Sequence, residues 1–171
     1  GACPACTGLG MNMELDKSLI IPDGSKTFAE GVIAALSTNQ EAYHMKQLAA
    51  VLSYYGYSLD AVWNDLPKDM QEILWYGSGE QKFSFMYENL QGEVKNTTPF
   101  EGIIPLLRRR HREAFSERMR LDIESFMTST PCPVCHGARL KPEVLSILVG
   151  EKNICEVTAL TVRDAINFFE T

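Results

Sequence analysis

The pattern Cys-Pro-x-Cys-x-Gly occurs twice in this chain of 171 residues, once near each end. The first copy holds Cys3 and Cys6, the second holds Cys132 and Cys135, and no other cysteine lies between them. A Cys-x-x-Cys turn aims two thiolates at one point, so two such turns can supply the four ligands of a closed, structural zinc site. The glycine two places after each second cysteine suits a tight turn whose N–H groups point at the sulfurs. If the pairs converge, everything between them is one excursion that starts and ends at the same metal.

Other uses of the cysteines fit the sequence less well. A disulfide framework is typical of short secreted chains, and a thioredoxin-like motif would occur once rather than twice with the same Pro and Gly. His136 touches the second pair and is an alternative ligand, although four cysteines already fill a tetrahedral site. Cys155 lies in an apolar stretch and is expected to be a small buried side chain. No basic and apolar leader opens the chain, and no apolar run approaches about eighteen residues, so no membrane span is predicted.

The charge of the chain is unevenly distributed. The net charge is −6, which alone argues against nucleic acid. Residues 1–94 carry five Lys/Arg against twelve Asp/Glu, and residues 121–171 carry four against seven. Residues 95–120, in contrast, carry seven against three. A basic segment in an acidic chain indicates a surface that meets phosphate.

The hydrophobic periodicity predicts an α+β fold. Residues 82–88 alternate with period two and residues 93–98 return after a turn, which predicts a β-hairpin with Lys95 on its second arm. Helical spacing predicts helices over 40–55 with a capping box at Ser37, over 67–76, after Pro99 and after Ser116. Trp63 and Trp75 are expected to anchor the core.

Beyond the second cysteine pair, the pattern predicts a short strand pair and a terminal helix. The strands are expected over 144–149 and 154–157 around a turn at 150–153, and Thr161 is expected to cap the helix.

The predicted helix after Pro99 carries the densest positive charge. At 100° per residue, Arg108, Arg109 and Arg112 fall within one arc of about a hundred degrees. Arg110 lands among the apolar positions, where it would extend to solvent or pair with an acid. Guanidinium groups suit phosphate oxygens, so we predict DNA-backbone contacts from the arc and from nearby basic residues, namely Lys95, Arg108, Arg109, Arg112, Arg118 and Arg120. The alternative is a solvated face whose arginines pair with Glu113 and Glu117.

Common catalytic motifs are missing. There is no glycine-rich phosphate loop, no Gly-x-Ser-x-Gly, no His-Glu-x-x-His and no paired-carboxylate constellation. We therefore predict a segment without a catalytic or cofactor-binding site. A protein-interaction or access-limiting module without DNA contact is the alternative function. A piece of a DnaJ-type co-chaperone fits less well, because those proteins carry four closely spaced cysteine repeats.

Several stretches together resemble one family. The chain resembles the zinc-knuckle and insertion region in the first half of the UvrA family, the damage-sensing ATPases of bacterial nucleotide excision repair. The similarity extends from end to end and is carried by residues 1–10, 74–79, 99–105, 109–110, 112–113, 132–140, 156–160 and 168–169.

The resemblance implies an architecture and a role. It implies a first zinc knuckle over 1–13, a DNA-binding insertion domain over 14–128, and a second knuckle with the return to a signature domain over 129–171. Zinc would be structural, with DNA contact near Arg109 and Arg112. ATP would bind only to the full-length parent, a cytoplasmic homodimer that acts on double-stranded damaged DNA and loads UvrB.

Overall fold

The computed structural model describes residues 1–170, which fall into two compact units. The cysteine unit comprises Gly1–Glu14 and Ser129–Thr171, and the inserted unit comprises Leu15–Thr128. The domain boundaries stay a prediction, because compactness does not test whether a segment folds alone. Among residues 1–170, no helix has both the length and the apolar character needed to cross a bilayer.

The fold is α+β, as predicted. In chain order the elements are β1 (Met11–Leu15), α1 (Lys17–Ile20), α2 (Tyr43–Tyr54), a short 3-10 helix (Trp63–Asp65), α3 (Lys68–Tyr76), β2 (Lys82–Asn89), β3 (Gly92–Pro99), α4 (Ile103–Arg112), α5 (Glu117–Glu124), β4 (Met127–Pro131), α6 (Pro142–Leu145), α7 (Ile154–Thr158) and α8 (Val162–Glu170). Strand β1 pairs with β4, and β2 pairs with β3.

The inserted unit is organised around one hydrophobic core. The apolar stripes of α2, α3 and α4 meet there, and the largest fully buried side chains are Ile20, Leu48, Leu52, Leu74, Ile103 and Leu107. Burying a side chain of this size contributes about 1.5–3 kcal/mol. Trp63 and Trp75 are both buried, and their rings meet edge to face with centroids 5.2 Å apart. Their predicted role as core anchors is confirmed.

The predicted β-hairpin is confirmed. Strands β2 and β3 are antiparallel, with Phe83 opposite Thr98 and Met86 opposite Lys95. Phe83 and Phe85 are buried against α2, whose Tyr43 ring contacts Phe85 edge to face at 5.1 Å. Lys95 lies on the opposite face of the hairpin and is exposed. The period-two alternation therefore separates a core face from a solvent face.

The start of α2 differs from the prediction. The helix begins at Tyr43 rather than residue 40, and the capping box at Ser37 is wrong. The Ser37 hydroxyl accepts the N–H of Asn39, and the side chain of Asn39 accepts the N–H of Glu41. These local side-chain-to-backbone bonds give the chain an alternative to helical hydrogen bonding.

The strand pair predicted over 144–149 and 154–157 is also wrong. Helix α6 begins at Pro142, and helix α7 occupies the second predicted strand. The reason is a capping box: Asn153 accepts the N–H of Glu156, and the Glu156 carboxylate accepts the N–H of Asn153. This local pair favours helix over strand in a short apolar run. The terminal helix α8 is confirmed, and the Thr161 hydroxyl accepts the N–H of Asp164.

Two glycines allow the end of α3 to approach the start of α4. Gly77 has φ +108° and ψ 171°, and Gly102 has φ +92° and ψ 157°, a region open essentially only to glycine. A Cβ on Gly102 would lie 2.5 Å from the Gly77 nitrogen, and one on Gly77 would lie 2.7 Å from the Glu101 carbonyl oxygen. Two backbone segments therefore pack directly against each other where α3 ends and α4 begins.

We expect Gly102→Ala to lower the free energy of unfolding by about 4 kcal/mol, from backbone strain plus overpacking. Gly56→Ala is the matched control, because Gly56 also has positive φ (+83°) but a Cβ there would have no atom within 4 Å. The control should lose only about 1 kcal/mol. Urea unfolding followed by tryptophan fluorescence measures both, and equal losses would contradict the close-approach account.

Candidate functional site: a four-cysteine cluster and a basic helix

The four cysteines of the two repeated motifs converge, as predicted. Their Sγ atoms, on Cys3, Cys6, Cys132 and Cys135, all lie within 4.8 Å of one another, and all four residues are buried. The Cys6 and Cys135 sulfurs are 3.7 Å apart, although these residues are separated by 129 positions in sequence. All are free thiols. A closed set of four sulfur donors suits a tetrahedral metal ion.

The two cysteine motifs fold into the same turn. Thr7 and Gly8 have φ values of +52° and +85°, and the corresponding His136 and Gly137 have +50° and +90°. In each copy, the residue four places after the second cysteine donates its N–H to that cysteine's sulfur. The distance is 3.2 Å from the Gly10 nitrogen to the Cys6 sulfur, and 3.4 Å from the Arg139 nitrogen to the Cys135 sulfur. The repeated glycine therefore sits where a left-handed turn requires it.

Backbone hydrogen bonds join the two turns. The N–H of Cys3 donates to the carbonyl of Arg139 at 2.8 Å, and the N–H of Cys132 donates to the carbonyl of Gly10 at 2.9 Å. The convergence thus rests on a framework of peptide groups as well as on the sulfurs.

The surroundings of the sulfurs shift the pKa values of two of the cysteines in opposite directions. Burial raises the pKa of Cys135. Burial acts the same way on Cys6, but hydrogen bonds, the strongest of them from the N–H of Gly10, together outweigh it and lower the pKa of Cys6. One thiolate is therefore favoured while its neighbour resists ionisation. A positive ion among the sulfurs would stabilise all of them as thiolates.

Neither His136 nor Cys155 belongs to the cluster. His136 is exposed in the second turn, so the alternative of histidine ligation receives no support from the geometry. Cys155 is half-buried rather than fully buried, and its thiol donates to the carbonyl oxygen of Ala138 at 3.1 Å.

Helix α4 presents the predicted apolar and basic faces. Ile103, Ile104, Leu106 and Leu107 are buried. Arg108 and Arg112 are exposed, whereas Arg109 and Arg110 are half-buried. Burial, reinforced by the charge of Arg109, lowers the pKa of Arg110. The four arginines of one helix therefore have different surroundings.

Arg109 is held by two carboxylates. Its Nη2 lies 2.6 Å from Oε1 of Glu101 and its Nε lies 3.1 Å from Oε2 of the same carboxylate, while Nη1 lies 3.3 Å from Oε2 of Glu113. The hydrogen bonds that Arg109 donates to the Glu101 carboxylate are the main reason why the pKa of Arg109 is raised above its usual value. One of the two acids named in the solvated-face alternative, Glu113, thus pairs with Arg109, but its main partner is Glu101 and no pair with Glu117 forms in the described chain.

The other basic candidates are exposed and lie on three elements. Arg108 and Arg112 are on α4, Arg118 and Arg120 on α5, and Lys95 on β3. Among residues 1–170, no carboxylate lies within ion-pair distance of any of these five. Helices α4 and α5 pack together and are linked by a hydrogen bond of 2.9 Å between His111 Nε2 and Glu124 Oε1. The structure therefore brings the α4 and α5 arginines onto neighbouring helices.

Two residues were missed by the sequence analysis. Glu101 lies outside the helix and its carboxylate reaches Arg109 eight positions later, a spacing that helical periodicity does not reveal. Phe115, between α4 and α5, is 91% exposed. The sequence did offer a signal for Phe115, namely an aromatic residue within the most basic segment of the chain.

Comparisons with known proteins find relatives over the whole chain. The sequence family described as the UvrA DNA-binding domain matches residues 16–125. The chain is 42% identical to UvrABC system protein A of Halalkalibacterium halodurans, covering 100% of this chain and 18% of that protein. It is 40% identical to the same protein of Brucella abortus, covering 99% of this chain and 17% of that one. A crystal structure of UvrA2 from Deinococcus radiodurans superposes with a TM-score of 0.71 at 22% identity, covering 99% of this chain and 22% of that chain, which supports the fold alone.

We expect Glu101→Gln to lower the free energy of unfolding by about 0.5–1 kcal/mol, because a bidentate but partly exposed ion pair is lost. The loss should shrink at high salt, since screening weakens the native pair. Glu72→Gln is the control, because its contact with Lys17 is longer, at 4.0 Å. Urea unfolding at low and high salt measures both, and an equal effect of the two variants would show that the Arg109 pair is not special.

Proposed function

This chain belongs to the UvrA family, and we propose that it is the non-catalytic DNA-contacting segment of a UvrA-type ATPase that acts in nucleotide excision repair. The match of residues 16–125 to the UvrA DNA-binding domain carries the proposal. The unpaired arginines on α4 and α5 support it, because they supply the positive surface that an otherwise acidic chain needs to approach DNA.

The DNA contact is proposed to be with the phosphate backbone and independent of base sequence. Arginines on two neighbouring helices suit bidentate hydrogen bonds to phosphate oxygens. Arg108, Arg112, Arg118 and Arg120 would provide most of these contacts, with Lys95 on the hairpin adding another. Arg109 would contribute least, because binding phosphate requires it to give up the Glu101 carboxylate.

The metal of the cysteine cluster is proposed to be zinc, in a structural role. A regular tetrahedron with Zn–S bonds of about 2.3 Å has sulfur–sulfur edges of about 3.8 Å. The 3.7 Å between the sulfurs of Cys6 and Cys135 fits that edge. Ligation by Cys3, Cys6, Cys132 and Cys135 would leave no open position for a substrate or water, so the ion would hold the knuckles together rather than catalyse a reaction.

The wider assignment follows the family. The chain spans less than a fifth of the length of these relatives. We propose that ATP binding, the homodimer, the loading of UvrB at damaged double-stranded DNA and the cytoplasmic location belong to the longer protein. We also propose the division into 1–13, 14–128 and 129–171, which the two compact units support.

We expect the chain to bind one zinc ion and Cys132→Ser to lose it, because a three-sulfur site would leave the tetrahedral set incomplete. Cys155→Ser should keep the ion, since this thiol lies outside the cluster. Native mass spectrometry counts the metal in each variant. Zinc affinity should also weaken as the pH falls, because protons compete for the thiolates. Retention of zinc by Cys132→Ser would refute the four-cysteine site.

We expect the double variant Arg108→Ala, Arg112→Ala to bind duplex DNA more weakly and with a flatter salt dependence. The slope of log K against log salt should fall in magnitude by about 2, since each lost phosphate contact removes about 0.9. The matched control is Lys26→Ala, Lys68→Ala, which removes the same charge from exposed lysines outside the basic segment. Fluorescence anisotropy at several salt concentrations measures both. An unchanged slope would exclude these contacts. If the unmodified chain did not bind DNA at low salt, an access-limiting role would be favoured.

A further inference from the structure

Phe115 is the most exposed aromatic side chain among residues 1–170, at 91%. It stands between the end of α4 at Arg112 and Ser116, which caps α5. Single exposed apolar residues are normal on protein surfaces and need no explanation by themselves. The surroundings of Phe115 are what distinguish it.

The turn does not need an aromatic side chain at position 115. Phe115 immediately precedes the N-cap Ser116, a position where an apolar residue often packs on the fourth residue of the helix. That fourth residue is Arg120, and the exposure of Phe115 shows that no such packing forms. The cap itself is satisfied by the Ser116 hydroxyl, which accepts the N–H of Met119 at 3.2 Å. An alanine would therefore serve the fold as well.

Exposed arginines lie close to Phe115 in sequence on both sides. Arg112 lies three residues before Phe115 and Arg118 three residues after it, and both are exposed. Neither has a carboxylate within ion-pair distance in the described chain. Arginines that track phosphates around an aromatic face on which a base can stack are the usual combination in proteins that hold unpaired nucleotides. A protein partner would need its own acidic surface here, whereas DNA supplies both the charge and the flat ring.

We propose that Phe115 is a stacking residue for a nucleobase that has lost its own stacking partner, at an unpaired or distorted position of the DNA. Arg112 and Arg118 would hold the phosphates on either side of that position. The inference rests on the proposed DNA-binding function and adds a preference to it. Fully paired DNA offers no free base face, so Phe115 contributes little there and the arginines alone set the affinity.

The test compares two short duplexes of the same length, one fully paired and one with two adjacent unpaired thymines at its centre. Binding of the whole chain and its variants is measured by fluorescence anisotropy. Phe115→Ala should weaken binding to the unpaired duplex at least about fivefold, the lower end for loss of one base stack, and leave binding to the paired duplex unchanged. Phe115→Leu is the matched control, because it keeps apolar bulk without a π face, and it should lose the preference as well. Phe115→Trp should keep or strengthen it.

The outcomes separate this inference from the proposed function. If the unmodified chain binds neither duplex, the proposed DNA-binding function itself is wrong. If it binds both and Phe115→Ala changes neither, the function stands and the stacking role is overturned. If Phe115→Leu kept the full preference for the unpaired duplex, the stacking role would also be overturned, because an apolar side chain without a π face would then suffice. Thermal unfolding of the variants should match that of the unmodified chain, since Phe115 is 91% exposed. A large loss of stability would contradict its assignment as a surface residue.

Discussion

The convergence of four buried sulfurs is the constraint on which this structure depends. Thiol groups packed within 4.8 Å of one another cannot all ionise without a compensating cation, and burial increases that cost. The peptide hydrogen bonds between the two turns position the sulfurs, but they do not supply the missing positive charge. A tetrahedral ion would satisfy both requirements at once. The same ion would hold the two cysteine turns together.

The basic helix shows that a row of arginines need not act as one surface. One member, Arg109, is tied to Glu101 and Glu113, and another, Arg110, is partly withdrawn from solvent. The remaining charges on α4 and α5 are free to meet an external anion. The tied arginine links the helix to the segment that precedes it, close to the contact between Gly77 and Gly102. The charge of Arg109 therefore helps to hold helix α4 in place, while the exposed arginines of α4 and α5 remain available to bind an anion.

Much of the fold could be predicted from sequence, and the failures have physical causes. Periodicity located the hairpin and the cores of the helices, because burial imposes a pattern on every such element. It failed over 144–157, where short apolar runs fit helix and strand equally and a capping box at Asn153 and Glu156 decided the outcome. The repeated motif predicted the cysteine cluster. The Glu101 contact could not be foreseen, since it depends on how a loop meets a helix.

The separation of the two cysteine motifs has a consequence for biosynthesis. Cys6 is synthesised 129 residues before Cys135, which at about 5–20 residues per second means a wait of roughly 6 to 26 seconds. All the buried core residues of the inserted unit, from Ile20 to Ile123, are synthesised within that interval. The first pair of thiols meanwhile has no partners. An ion bound by all four sulfurs would be captured only after Cys135 has been made, and the early pair of thiols would be the one open to oxidation until then.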